Sequence, residues 1–148
     1  MNRNTGFTLI EVLIAMLVLA VGLLGLAGLQ ITSLKNNQSA YNRSQAIQLA
    51  YDLADRIRAN SAGINIYTST LPNVATAKAD CLTTVGCTSA DMAENDLFEW
   101  NTSVSTVLPS GVSTISVADG VYTIAITWDD DQDGDDSNNP NFQTSFQP

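Results

Sequence analysis

The chain has 148 residues, with 6 basic and 15 acidic side chains, no histidine and a net charge of −9. Without histidine it lacks the usual general base, and two cysteines are too few for a Cys-ligated zinc or iron–sulfur site. The acidic balance argues against nucleic-acid binding, which requires clusters of lysine or arginine, and no nucleophile–base pair or cofactor motif predicts an enzyme.

An apolar segment runs from residue 7 to residue 29, and Glu11 is its only charged residue. Its 23 residues, as a helix rising about 1.5 Å per residue, would span about 34 Å and cross a bilayer core of about 30 Å. A secretory signal peptide is the alternative, but its apolar region is about 7–15 residues long and follows several positive charges. Here Arg3 alone precedes the segment, so we expect a membrane-spanning helix.

A short polar leader leads into the sequence GFTLIEV at residues 6–12. This motif resembles the class III signal of type IV prepilins and pseudopilins. The resemblance implies that a membrane prepilin peptidase cleaves between Gly6 and Phe7 and N-methylates Phe7. It also implies that Glu11 pairs with the amine of a neighbour's Phe7 in a fibre and fixes the axial register, a role that buried charges sometimes serve.

Residues 30–63 are expected to continue the same helix in amphipathic form. Apolar side chains recur there at helical spacing, and residues 60–63 provide a stop signal. The predicted inward-facing residues are Ala46, Leu49, Ala50, Leu53 and Ile57. We therefore expect residues 1–6 to be a leader, residues 7–63 to form one long helix, and residues 64–148 to form a globular head.

The head begins with residues 64–90, which lack a sustained period and are expected to form a loop. Within it, Cys81 and Cys87 would close a small ring as a disulfide, worth about 2–3 kcal/mol. Two free thiols are the alternative. Because the head follows an exporting segment and would face an oxidising periplasm, we favour the disulfide.

A second helix and a hairpin complete the predicted head. The helix begins at a cap on Ser89 or Asp91 and ends at residues 109–111, and residues 112–117 and 121–128 pair across an Asp-Gly turn. The predicted core residues are Leu97, Trp100, Val104 and Val107 on the helix, and Tyr122, Ile124, Ile126 and Trp128 on the second strand. The fold class is α+β and type IV pilin-like, with a long N-terminal helix packed on a small antiparallel sheet.

Residues 129–136 carry six carboxylates, and we name this segment the acidic loop. Alternating aspartates followed by Gly134 resemble the start of an EF-hand loop, but its twelfth position falls on Pro140 rather than on a bidentate glutamate. Two interpretations remain open, a partial Ca²⁺ site and a solvated anionic loop. The candidate ligands are Asp129, Asp131, Asp133 and Asp135.

A narrower resemblance connects the chain with minor pilins of the PilV type. It rests on RSQA at 43–46, LADRIRAN at 53–60 and a stretch within residues 100–129 that ends in GVYTIAITWD. The resemblance implies a subunit that primes pilus assembly near the fibre tip with other minor pilins and the major pilin, and with a tip adhesin as a further candidate partner. The head would be periplasmic, anchored in the bacterial inner membrane, until assembly brings it to the cell surface. A type II secretion pseudopilin and a calcium-dependent surface-binding module are the alternatives.

Overall fold

The structure, a computed structural model, describes residues 8–148. The chain forms two compact units, the first reaching Gln38 and the second being Ser39–Pro148. Helix α1, Leu9–Ala59, contributes residues to both units. The predicted cleavage and methylation positions, Gly6 and Phe7, lie outside the described residues.

The described part of the first unit is Thr8 and the first half of α1, which begins with the apolar segment. It is long and apolar enough to cross a membrane, and none of its most apolar stretch is buried. Glu11 lies exposed in the first turn, where its backbone N–H donates to the carbonyl of Thr8 at 3.1 Å. The predicted helical segment is therefore confirmed from Leu9 onward, with its apolar surface free to contact lipid or other helices.

The second half of α1 becomes amphipathic later than predicted. Leu34 and Tyr41 are exposed, and the buried face begins at Asn42 and continues through the predicted residues 46, 50, 53 and 57. The helix ends at Ala59 rather than at residue 63, because Ser61–Gly63 forms a separate 3-10 turn. A Cβ on Gly63 would lie 2.2 Å from the carbonyl oxygen of Ser89, so only glycine permits this close approach.

The prediction of a plain loop over residues 64–90 is wrong. Helix α2, Ile66–Ser69, and 3-10 turns at Pro72–Val74 and Ala79–Leu82 occupy much of it. Tyr67 is fully buried within α2. Elements of a single turn are too short to produce a detectable apolar period, which is why the pattern did not reveal them.

Helix α3, Ser89–Val107, is confirmed with two corrections. Its N-cap is Thr88 rather than either predicted residue, and the Thr88 hydroxyl accepts from the backbone N–H of Asp91 at 3.1 Å. Val107 is 40% exposed. The helix ends there, and Leu108, in extended conformation, enters the core in its place.

The sheet has three antiparallel strands in the order β1-β2-β3: Val112–Ala118, Val121–Thr127 and Asn141–Phe146. The predicted hairpin is confirmed, since Asp119 and Gly120 have φ values of 53° and 77°, as a tight two-residue turn requires. Strand β3 was not predicted. Its alternating half-buried pattern in the polar sequence NFQTSF is typical of an edge strand.

One core joins α1, α2, α3 and β2, and it confirms the predicted α+β class. The indole N–H of Trp100 donates to the carbonyl of Leu49 at 2.8 Å, which attaches α3 to α1. The guanidinium of Arg58 lies 4.7 Å from the ring centroid of Phe146, which links the end of α1 to β3. The fully buried side chains at the centre include Leu53, Ile57, Leu97, Ile124 and Ile126.

Candidate functional site

The acidic loop leaves the sheet directly after β2, and backbone hydrogen bonds close its base. The N–H of Trp128 donates to Pro140 O at 3.4 Å, and that of Asp129 donates to Pro109 O at 2.9 Å. Within the loop, Gln132 and Gly134 have φ values of 57° and 78°. The left-handed backbone conformation of these two residues turns the chain sharply, so that alternate side chains converge.

Three of the four predicted ligands come together at this turn. Carboxylate oxygens of Asp129, Asp131 and Asp133 lie within 4.8 Å of one another. Asp135 does not join this cluster: its Oδ1 accepts from the N–H of Ser137 at 2.9 Å, while its own N–H donates to Asp133 at 2.7 Å. Three of the four predicted ligands thus lie close together, and Asp135 lies outside their cluster.

Asp129 is the buried member of the cluster, with a relative exposure of 5%. Its Oδ2 accepts from the N–H of Gly134 at 3.1 Å, but its buried Oδ1 has no hydrogen-bond partner among the described residues. A buried charged acceptor without a donor costs about 1–3 kcal/mol or more. Within residues 8–148, no lysine or arginine forms an ion pair with the acidic loop, so this charge is uncompensated.

Asp130, between two cluster members, instead connects the loop to α1. Its Oδ1 accepts from the amide of Asn42 at 2.9 Å and from the indole N–H of Trp128 at 3.0 Å. Burial alone raises the pKa of Asp130, yet hydrogen bonds from Ser39, Asn42 and Trp128 hold that pKa below its usual value. Sequence reasoning missed this contact because Asn42 stands in a polar stretch and only the fold reveals its burial.

A second polar network, also missed, holds the helices of the head together. The Nη1 of Arg56 donates to Asp96 at 3.0 Å and to Glu99 at 3.1 Å, and its Nε donates to Asp52 at 3.0 Å. The Tyr67 hydroxyl donates to the other oxygen of Asp96 at 2.5 Å. Burial and this bond raise the pKa of Tyr67, so the hydroxyl remains a donor. These groups satisfy one another, and the network joins α1, α2 and α3.

Cys81 and Cys87 form the predicted disulfide, with their Cα atoms 4.8 Å apart. The bridge connects Cys81, which lies within the 3-10 turn Ala79–Leu82, to Cys87, two residues before α3 begins. Leu82 and Val85, inside the ring, are exposed. The disulfide therefore fixes a surface segment that no buried apolar side chain anchors within the ring.

Comparison with known protein families finds two adjacent matches. Residues 1–27 match the family model of the prokaryotic N-terminal methylation motif, and residues 28–98 match that of the type IV pilin Tt1218. The chain matches no curated protein and no solved structure. Both matches end before the sheet and the acidic loop. The observed fold, an exposed apolar helix leading into a small antiparallel-sheet head, is consistent with a type IV pilin.

Proposed function

Because this chain carries a type IV pilin domain behind an N-terminal methylation motif, we propose that it is a minor pilin of a type IV pilus, of the PilV type. Prepilin peptidase cleaves it between Gly6 and Phe7 and methylates Phe7. The observation that carries the proposal is the methylation motif followed directly by an exposed apolar helix, which continues without a break into a folded head.

Before assembly, the apolar half of α1 anchors the protein in the bacterial inner membrane and the head lies in the periplasm. The Cys81–Cys87 disulfide supports this location, since disulfides persist in oxidising compartments. In the fibre, the same apolar surface packs against other subunits, and each buried Å² contributes about 25 cal/mol. Glu11, the only charge in the segment, pairs with the amine of a neighbour's Phe7 and sets the axial register.

The minor-pilin role rests on the narrower sequence resemblance in the second half of α1 and in the head. It makes the protein a partner of other minor pilins, the major pilin and a tip adhesin during the priming of fibre assembly. DNA is disfavoured as a ligand of the head, because residues 79–148 contain no lysine or arginine.

Deleting the gene tests the priming role. We expect at least several-fold fewer surface fibres per cell, restored by the wild-type gene, because priming limits how many fibres begin. In sheared wild-type fibres, quantitative mass spectrometry should find the protein as a small minority beside the major pilin. An unchanged fibre count, or an amount equal to the most abundant subunit, would contradict the minor-pilin role.

The same deletion separates the two alternatives. If the protein is a type II secretion pseudopilin, its deletion should leave surface fibres unchanged and stop the export of folded proteins to the medium. The clustered carboxylates of Asp129, Asp131 and Asp133 favour the other alternative, a surface-binding tip module. In that case the deletion should leave fibre assembly intact, and wild-type fibres should lose their binding to a glycan or cell surface when EDTA removes calcium.

A further inference from the structure

We propose that the acidic loop binds one Ca²⁺ ion between the carboxylates of Asp129, Asp131 and Asp133. Calcium takes oxygen ligands at about 2.3–2.6 Å, so oxygens on opposite sides of one ion lie up to about 5 Å apart. The three carboxylate oxygens, all within 4.8 Å of one another, therefore reach a common ion without refolding of the loop.

A second observation, independent of the clustering, is the unpartnered oxygen of Asp129. This carboxylate is 95% buried, with Oδ1 lacking any hydrogen-bond partner among residues 8–148, while Oδ2 is held by the N–H of Gly134. Its backbone is also fixed, by the hydrogen bond to Pro109. A buried, immobilised carboxylate that has an unpartnered oxygen and lies beside two further carboxylates is a group that a bound cation would satisfy.

The donor chemistry selects calcium among the common cations. All three donors are carboxylates, the chain has no histidine, and both cysteines are joined in the disulfide, whereas zinc prefers nitrogen and sulfur ligands. Magnesium retains several waters and demands near-ideal octahedral geometry. Because Pro140 stands where an EF-hand has its bidentate glutamate, water and backbone oxygens complete the shell. We expect a Kd of about 10⁻⁴–10⁻³ M, as in extracellular calcium modules.

The site would act on the head as a whole through Asp130. This residue lies between two ligands and accepts hydrogen bonds from Asn42 of α1 and from Trp128 at the end of β2. An ion that orders the acidic loop therefore also fixes the contact between the sheet and α1. Beyond its role in assembly, a head exposed outside the cell therefore gains stability from calcium in the medium.

Calorimetric titration and thermal unfolding of the full chain in non-ionic detergent test the proposal, with CaCl₂, MgCl₂ or EDTA added. We expect one Ca²⁺ per chain. At a free concentration about ten times Kd, the ratio of folded to unfolded chain should rise about tenfold, with a higher Tm. No heat of binding with no change in Tm would overturn the proposal, and so would an equal response to Mg²⁺.

Asp131→Asn is the informative variant because Asp131 is exposed and its substitution leaves the core untouched. Removing one of several crowded negative charges should leave its Tm in EDTA equal to or above that of the wild type. Its calcium affinity should fall several-fold, because asparagine offers only a neutral carbonyl oxygen, so calcium should raise its Tm clearly less. Asp119→Asn, which removes one charge at the hairpin turn, is the matched control and should respond as the wild type does. A full calcium response in Asp131→Asn would refute the site, and this result does not depend on whether the chain is a pilin.

Discussion

Replacing Glu11 with alanine is expected to exclude the protein from fibres while leaving it in the membrane. Glu11 is the only charge of the apolar segment and lies exposed in the first turn of α1. In the proposed fibre it is surrounded by apolar helices and faces the amine of a neighbour's Phe7. Removing one partner of such a buried pair costs about 3–5 kcal/mol, because the other charge remains buried and uncompensated.

At about 1.4 kcal/mol per factor of ten, this loss lowers the fraction of protein in fibres by about 100-fold or more. Insertion into the bilayer does not suffer, since removing a carboxylate from an apolar segment favours insertion. Immunoblots of sheared fibres and of membranes measure both quantities. Glu11→Asp, which keeps the charge, is the matched control and should retain most of its incorporation. Normal incorporation of Glu11→Ala would refute the pairing with the Phe7 amine.

The second large effect is expected at Trp100, the largest fully buried side chain of the head. It belongs to the core that joins α1, α2, α3 and β2, and its indole N–H donates to the carbonyl of Leu49 at 2.8 Å. Trp100→Ala removes both the packing and the donor. We expect it to lower the free energy of unfolding by about 3–5 kcal/mol.

Urea denaturation of the full chain in non-ionic detergent, followed by circular dichroism, measures this change. Phe98→Ala is the matched control, since Phe98 lies on the same helix but is 37% exposed. Its cost should be about 1 kcal/mol, close to that of an average substitution. Equal losses for the two variants would show that Trp100 does not hold α3 against α1.

Periodicity predicted the elements whose apolar side chains repeat. Ala46, Ala50, Leu53 and Ile57 fall at helical spacing and are all buried, and the Asp-Gly pair at residues 119–120 fixed the hairpin. In these regions local propensity and tertiary packing favour the same conformation. The sequence was therefore sufficient to derive the α+β class and most of the core.

The remaining elements depend on contacts that no local pattern records. Strand β3 is polar and forms because its backbone pairs with β2, and Tyr67 is a single aromatic in a one-turn helix. The cap, Thr88, lies one residue before Ser89 and three before Asp91, and all three residue types are good N-caps, so the sequence alone does not distinguish them. Strand pairing decided the first case and burial the second, whereas the cap was decided by the hydroxyl that accepts from the N–H of Asp91.

In the acidic loop, too, some features follow from the sequence pattern and others only from the fold. Asp129, Asp131 and Asp133, which alternate in the sequence, have carboxylate oxygens that lie close together in the structure. Asp135, the fourth predicted ligand, lies outside this cluster, and its carboxylate accepts from the N–H of Ser137. The burial of Asp129 and the contact between Asp130 and α1 arise from the fold, because Pro109 and Asn42 lie far from the loop in sequence.

The most direct test of the pilin assignment is the intact mass and N-terminal peptide of the protein recovered from sheared surface fibres. We expect a chain that has lost residues 1–6 and begins with N-methyl-Phe7, recovered together with other pilins. A Gly6→Leu variant, too bulky for the cleavage site, should stay uncleaved and absent from fibres. A wild-type chain that still begins at Met1 and stays in the membrane would contradict the account.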